Sequence, residues 1–184
     1  MQISEAELKH IIALAKRGRL DAFEKIISLY EKGIFSYIYS SVAHMQDAED
    51  LTQETFIRLY KNLKVIDTEK NFKAWLYKIG MNVMYDWFRK KKRRQELFLI
   101  DDDTHQFETI DEKDPYWMVE NAQQLELALS RLKPAQKQIL LLFYYQGFSY
   151  EEIAGILSIP LNTVKTNLRR AKQALGDILQ HLYA

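Results

Sequence analysis

The fold of this chain is decided by residues 148–175, which read FSYEEIAGILSIPLNTVKTNLRRAKQAL. Ser149 and Glu152 have the S-x-x-E spacing of a capping box, which marks the start of a helix. Pro160 ends that helix and suits the first turn of another, because its φ is already fixed near the helical value. The second helix carries one apolar stripe at helical spacing, formed by Val164, Leu168, Ala171 and Leu175. The stretch predicts two short helices joined by a tight turn.

The remaining faces of the second helix are basic. Hydrogen-bonding side chains come first and cations follow, without an acid among them: Asn162, Thr163, Lys165, Thr166, Asn167, Arg169, Arg170 and Lys172. This pattern is typical of a recognition helix that lies in the major groove of DNA. An ordinary amphipathic hairpin with a solvated basic face is the alternative. The missing acids and the asparagine and threonine residues at the helix start favour DNA.

The composition is that of a globular chain with segregated charge. The 184 residues suffice for one large or two small domains, and 47% of them are hydrophobic. The net charge is only +1, so the whole molecule is not a general binder of polyanions. Six consecutive cations occupy Arg89–Arg94, whereas residues 101–114 hold seven acids and a single lysine. This arrangement predicts a basic binding face and an acidic segment that avoids it or enters another basic channel.

Several classes of protein are excluded by what the sequence lacks. The absence of cysteine excludes a disulfide framework, a cysteine zinc site and a catalytic thiol. The N-terminal residues have no apolar run long enough for a signal peptide. No segment approaches the ~18–20 apolar residues that a membrane-spanning helix needs. We therefore expect a soluble, cytoplasmic protein without a membrane span.

Residues 1–95 are predicted to form a helical domain. Helices are expected over Glu5–Lys16, from Asp21 to about His44, and from Asp47, as N-cap, to about Leu63. A polar loop follows over Lys64–Lys70, and Asn71 caps a long fourth helix. The main apolar stripe of the fourth helix is Phe72, Trp75, Leu76, Ile79, Val83 and Trp87.

The fourth helix has a second apolar row, formed by Tyr77, Met81, Tyr85 and Phe88. Two packed neighbouring helices would explain an apolar surface on two sides. The alternative is that one row meets unstacked bases, because aromatic faces stack on single strands.

An acidic linker and a second helical domain complete the chain. Residues 96–118 have no sustained period and are rich in aspartate, which predicts a flexible linker. In residues 119–184 a first helix is predicted over Glu120–Leu132, and Pro134 opens another that stops at Gly147. The predicted fold class is all-α, with two small helical domains joined by the linker and a helix-turn-helix in the second domain.

Four stretches together resemble a known family. They are DAEDLTQETFIRLYKNL (47–63), FKAWLYKIGMNVMYDWFRKKKRR (72–94), LKPAQKQILLLFYYQGFSYEEIAGIL (132–157) and IPLNTVKTNLRRAKQAL (159–175). In this order and at this spacing they are similar to the extracytoplasmic-function (ECF) sigma factors of bacterial RNA polymerase, members of the sigma-70 family. There are three departures from the usual pattern of that family, at Gly80-Met81, at Gly155 and at Ser158.

The resemblance implies an alternative sigma factor, which is a specificity subunit and not an enzyme. Residues 1–95 would bind core RNA polymerase and the promoter −10 element, and residues 119–184 would bind the −35 element. The linker would lie in a basic channel of the polymerase, and capture of an unstacked base would drive promoter opening. An anti-sigma factor is an expected partner. We expect a monomer when the chain is free, and no cofactor.

The third helix holds the polymerase-binding candidates that the resemblance implies: Asp47, Glu49, Asp50, Gln53, Glu54, Phe56 and Tyr60. Docking on a coiled coil needs mixed polar groups around an apolar patch, which these residues supply. The acids over 47–50 are also explained by their favourable interaction with the helix dipole. Gln53 and Glu54 lie beyond the first turn, where that explanation is weaker.

The −10 candidates that the resemblance implies are Ile66, Asp67, Thr68, Asn71, Asn82, Asp86, Arg89 and Lys90. Asn82 and the loop over 66–71 would hold a flipped-out base, since an asparagine amide both donates to and accepts from a base edge. The cations over Arg89–Arg94 would neutralise phosphates. An exposed mid-helix asparagine and a solvated cationic helix end are the alternatives.

The −35 candidates are Asn162, Thr163, Lys165, Thr166, Arg169, Arg170 and Lys172. A homodimeric helix-turn-helix regulator would have a similar C-terminal domain, but it would leave 47–63 and 72–94 unexplained. An enzyme is disfavoured, because no P-loop, H-E-x-x-H or G-x-S-x-G motif is present. The four histidines, at positions 10, 44, 105 and 181, are too scattered to suggest a metal site or a catalytic triad.

Overall fold

The computed structural model describes residues 3–67, 71–98 and 127–183 of the chain. Two compact units are present, which divide between residues 105 and 106. The described residues form helices and turns without a strand, which confirms the all-α fold class. Most of the predicted linker, and most of the helix predicted before Leu132, lie outside the described residues.

The N-terminal unit consists of α1 (Glu5–Lys16), α2 (Leu20–Val42), α3 (Met45–Asn62) and α4 (Phe72–Phe98), with a 3₁₀ turn over Leu63–Val65. Helix α2 continues through Gly33, and it packs against α1, α3 and α4. Its isoleucines at 26, 34 and 38 are fully buried. Each buried aliphatic side chain of this size contributes about 1.5–3 kcal/mol. Because α2 packs against the other three helices, it is the centre of this core.

The start of α3 differs from its prediction. The Nδ1 atom of His44 accepts a hydrogen bond from the Asp47 backbone N–H at 3.3 Å, so the N-cap is His44, three residues before the expected one. The Asp47 N-cap is therefore wrong, and Asp47 lies in the first turn. The predicted cap of α4 is confirmed, because the Asn71 Oδ1 atom accepts from the Ala74 backbone N–H at 3.1 Å.

The second apolar row of α4 divides into two halves. Tyr77 and Met81 are buried, and the Tyr77 ring lies 5.5 Å from the ring of Tyr37 on α2. Tyr85 and Phe88 remain 46% and 39% exposed. Packing against neighbouring helices therefore explains only the first half of the row.

The C-terminal unit has helical residues at 127–130, then α5 (Pro134–Leu140), a π-helical turn over Leu141–Tyr145, α6 (Tyr150–Leu157) and α7 (Leu161–Tyr183). The predicted capping box is present at α6. The Ser149 backbone N–H donates to the Glu152 carboxylate at 2.7 Å, and the Glu152 N–H donates to the serine oxygen at 3.2 Å. Gly147 follows the C-cap of the π-helical turn with a φ of 72°, which a glycine adopts at little cost.

Within the part of the chain that the structure describes, none of the helices has the length and apolar character needed to cross a membrane.

The turn between α6 and α7 is strained at Ser158, whose φ of 55° lies in the left-handed region. We expect Ser158→Gly to raise the free energy of unfolding by about 0.5–1 kcal/mol. Relief of a strain of about 1–2 kcal/mol outweighs the roughly 0.4–1 kcal/mol that glycine costs through the freer unfolded chain. Thermal or urea unfolding of the full chain measures the change. Ser158→Ala is the matched control, since it keeps the strain, and equal stabilisation by both variants would contradict the explanation.

Candidate functional site

The predicted recognition helix is α7, and its two sides separate as the sequence indicates. Val164, Leu168 and Ala171 are buried in the core of the C-terminal unit. Thr163 is partly exposed, and the other six −35 candidates are exposed: Asn162, Lys165, Thr166, Arg169, Arg170 and Lys172. Asn167 donates its side-chain amide to the Thr163 carbonyl at 3.0 Å, so this amide is engaged within the helix.

A shallow depression of about 260 Å³ lies along one flank of this face. It is lined by Asn162, Thr163, Thr166, Asn167 and Arg170. One guanidinium is therefore grouped with amide and hydroxyl groups, which are the side chains that contact base edges and phosphates.

Lys172 occupies the other flank of the face and contacts a different element. Its Nζ atom lies 5.2 Å from the ring centroid of Tyr144 in the π-helical turn. A hydrogen bond to Tyr144 raises the pKa of the Lys172 ammonium above its ordinary value. Sequence reasoning missed Tyr144, which the structure leaves exposed. The signal available was the run of three aromatic residues at 143–145.

The polymerase-binding candidates on α3 fall into an exposed group and a group with internal contacts. Glu49, Asp50 and Gln53 are exposed. Asp47 is half-buried, with its carboxylate 3.1 Å from the His44 imidazole. Glu54 is engaged with a neighbouring arginine of the same helix.

Phe56 and Tyr60 border a groove of about 450 Å³ between α2 and α3. Phe56 is 6% exposed and forms the groove floor, whereas Tyr60 is exposed and its ring lies 5.0 Å from that of Phe23. Ile57 and Ile27 complete the apolar lining, and Gln53 stands beside it. The structure thus brings the predicted polar and apolar groups of α3 together, and it adds a contribution from α2 that the sequence of α3 alone did not predict.

Arg58 makes two short ion pairs, one within α3 and one that connects α3 to α4. Its Nε atom lies 2.8 Å from Glu54 Oε1 on its own helix, and its Nη1 atom lies 2.8 Å from Asp86 Oδ2 on α4. The hydrogen bonds to Glu54 and then to Asp86 raise the pKa of the guanidinium. Two of the predicted binding residues are therefore joined through an arginine that sequence reasoning missed, because the contact with α4 spans 28 positions.

The −10 candidates in the loop have several different roles. Ile66 is 4% exposed, and its carbonyl accepts from the Lys16 ammonium at 2.7 Å, so it holds the loop to the core. Asp67 is exposed, and Asn71 caps α4. Thr68 lies outside the described residues.

The −10 candidates on α4 face solvent in one region. Asn82, Arg89 and Lys90 are exposed. Asn82, Tyr85 and Arg89 follow the i, i+3, i+7 spacing of one helix face, so the exposed Tyr85 ring lies between an amide and a guanidinium. The Lys91 ammonium lies 4.8 Å from the Trp87 ring centroid. The side chains from residue 92 onward in the cation run lie outside the described set.

Among the described residues, no group of three or more histidine, aspartate or glutamate side chains could hold a metal ion.

Comparison with known proteins identifies the class. Residues 26–94 match the family described as Sigma-70 region 2, and residues 122–175 match the family described as Sigma-70, region 4. The two matches fall one in each helical unit, in the order found in sigma-70-type transcription initiation factors.

The relatives narrow that class to one family. The chain is 31% identical to the ECF RNA polymerase sigma factor SigW of Bacillus subtilis, over 97% of this chain and 100% of that protein. It is 29% identical to SigE of Mycolicibacterium smegmatis and spans 65% of that longer protein. The sigma factor RpoE of Bartonella quintana, solved with the anti-sigma factor NepR, has a TM-score of 0.71 and 26% identity, with 86% of this chain and 96% of that chain covered.

The chain belongs to the extracytoplasmic-function sigma factors, as its four motifs predicted. It is an alternative sigma factor, which binds core RNA polymerase and directs promoter-specific initiation of transcription.

Proposed function

We propose that the two units divide the work of initiation. The N-terminal unit (residues 1–95) docks on core polymerase and opens the −10 element, the C-terminal unit (119–184) reads the −35 element, and residues 96–118 connect them. The observation that carries this assignment is the two-sided character of α7. Its four lysine and arginine residues are exposed, while its opposite side is held in the core.

Docking on polymerase is assigned to the surface of α3 and the adjoining groove. Asp50 and Gln53 are exposed at its rim, and the apolar lining that includes Ile57 and Tyr60 accepts side chains of a partner helix. Such a surface fits the helix-in-groove mode, in which apolar anchors supply affinity and the polar rim supplies register.

Promoter opening is assigned to α4 and its preceding loop. Asn82 offers directional hydrogen bonds to a base edge, and the neighbouring Tyr85 ring offers a face on which an unpaired base stacks. Arg89 and Lys90 supply phosphate contacts. Opening is then driven by the free energy of binding the unpaired strand, so the chain needs no catalytic group and is not an enzyme.

The partners and location follow from this role. A relative with the same fold, RpoE of Bartonella quintana, was solved with an anti-sigma factor. We propose that an anti-sigma partner also holds this chain inactive, and that the chain acts in the cytoplasm, where the polymerase is. When free it is a monomer.

The assignment of α3 predicts that Asp50→Ala with Gln53→Ala weakens the complex with core polymerase about tenfold. Two lost rim contacts of about 0.5–1.5 kcal/mol each account for that change. Titration of labelled chain with core polymerase measures it, and binding of −35 DNA by the variant stays unchanged. Glu7→Ala with His10→Ala is the matched control, because both residues are exposed on α1 at the same spacing. Wild-type polymerase affinity in the α3 variant would contradict the assignment.

The assignment of α7 predicts different effects for its two adjacent arginines. Arg169→Ala should lose affinity mainly on the consensus −35 element, because a bidentate arginine–guanine pair discriminates by about 1–3 kcal/mol. Arg170→Ala should weaken consensus and scrambled DNA alike, as loss of a phosphate contact does. Lys165 is expected to behave like Arg169, and Lys172 like Arg170. Binding isotherms on the two DNAs separate the roles, and equal losses for both arginine variants on both DNAs would overturn the division.

The assignment of α4 predicts that Asn82→Ala leaves closed-complex affinity nearly unchanged and reduces open complex on duplex promoters. Templates already mismatched across the −10 region should partly restore opening, because the base no longer has to be extracted. Permanganate footprinting at two salt concentrations measures both effects. Neutralising 91–94 serves as the contrast, since it should weaken binding to all promoters and flatten the salt dependence. Normal opening of duplex DNA by Asn82→Ala would leave the loop over 66–71 as the remaining candidate.

A further inference from the structure

Asp86 is an acid on the helix face that is proposed to meet DNA. It lies one turn after Asn82 and is followed at i+3 and i+4 by Arg89 and Lys90. A carboxylate at this place is unfavourable in two ways. It repels phosphates directly. It is also placed four residues before Lys90, where it would form an ion pair along the helix and make that lysine less available to phosphates.

Arg58 removes both problems in the structure as it stands. Its guanidinium lies 2.8 Å from the Asp86 carboxylate and draws it toward α3. The same guanidinium is fixed from the other side by Glu54 at 2.8 Å. The side chains of Arg58, Glu54 and Asp86 are 33%, 42% and 39% exposed, so this network is partly shielded from solvent.

Arg58 binds Asp86 more strongly than Lys90 would, because the Arg58 guanidinium is already held in place by Glu54, whereas Lys90 is flexible. Exposed pairs along a helix contribute only about 0.3–0.5 kcal/mol. Arginine presents its donors in a rigid fork, so one side chain holds two carboxylates at once.

We propose that Arg58 is a positioning residue of the promoter-binding face: by holding Asp86 against α3, it keeps the cations that follow on α4 available to DNA phosphates. The proposal rests on the proposed function of α4. In this proposal Asp86 is held by Arg58 and does not itself contact the −10 element.

The test is a double-mutant cycle of Arg58→Ala and Asp86→Asn in the full chain. Arg58→Ala should lower DNA affinity about fivefold, as expected for an uncompensated charge at a partly exposed site. It should also reduce the slope of log affinity against log salt by about one unit, because about one phosphate contact is lost. Asp86→Asn alone should leave both quantities near wild type, and the double variant should recover them. A role in folding alone would change the melting temperature but would give no such recovery.

The cycle is measured in two assays that separate the proposals. In the first, holoenzyme binds a promoter, and failure of the wild-type holoenzyme to select a promoter counts against the proposed function. In the second, the full chain alone binds nonspecific duplex DNA, where the phosphate contacts still determine the salt slope. The second assay therefore decides the role of Arg58 whatever the first one gives.

Further variants supply the controls, and some results of the cycle would contradict the proposal. Arg17→Ala removes one exposed cation at the end of α1, and it should leave affinity and slope unchanged. If Arg58→Ala does not fold by circular dichroism, Arg58→Gln replaces it, since glutamine loses the charge and keeps most of the length. Weak binding by Asp86→Asn alone would mean that Asp86 contacts DNA itself. Equal weakness of the Arg58 variant and the double variant would overturn the positioning role.

Discussion

Both units depend on one constraint, which is that a helix offering polar groups to a partner must bury its opposite side. In α7 the buried side is Val164, Leu168 and Ala171, and in α3 it includes Ala48 and Leu59. An aliphatic side chain contributes about 1.5–3 kcal/mol on burial, whereas an exposed ion pair contributes about 0–1 kcal/mol. The apolar stripes therefore fix the orientation of each helix, and the exposed charges are available for the proposed binding.

The α3–α4 contact shows how polar groups are accommodated under that constraint. Thr52 and Thr55 are buried, and their hydroxyls donate to the Ala48 and Leu51 carbonyls at 2.7 Å. These internal hydrogen bonds satisfy the hydroxyls without a partner on α4. At Gly80 a Cβ atom would lie 3.6 Å from Thr55 Cγ2, an ordinary contact. Packing therefore does not require glycine at this position, and we find no structural reason for its departure from the expected family pattern.

Features of the fold with a local cause could be predicted from the sequence. The capping box at Ser149, the helix start at Pro134 and the turn at Gly147 depend on residues a few positions apart. Features that depend on distant residues were missed, and the Arg58–Asp86 pair is the main example, because nothing near Arg58 in the sequence indicates a partner on α4. The same limit explains the α2 side of the groove and the contact of Lys172 with Tyr144, which require knowing how helices pack.

The balance of charge suggests how the two binding faces work together. The net charge is +1, so the free chain has little long-range attraction for DNA. Ten of its 26 lysine and arginine residues are concentrated in α7 and at the end of α4. In the proposed function each face alone makes only a few phosphate contacts, and such contacts weaken steeply with salt. When polymerase holds both units on one promoter, binding of the second face becomes intramolecular, and its effective concentration replaces the missing long-range attraction. A nearly neutral chain of this kind is expected to bind bulk DNA only weakly, and to bind tightly only where both elements are present at the spacing that the polymerase sets.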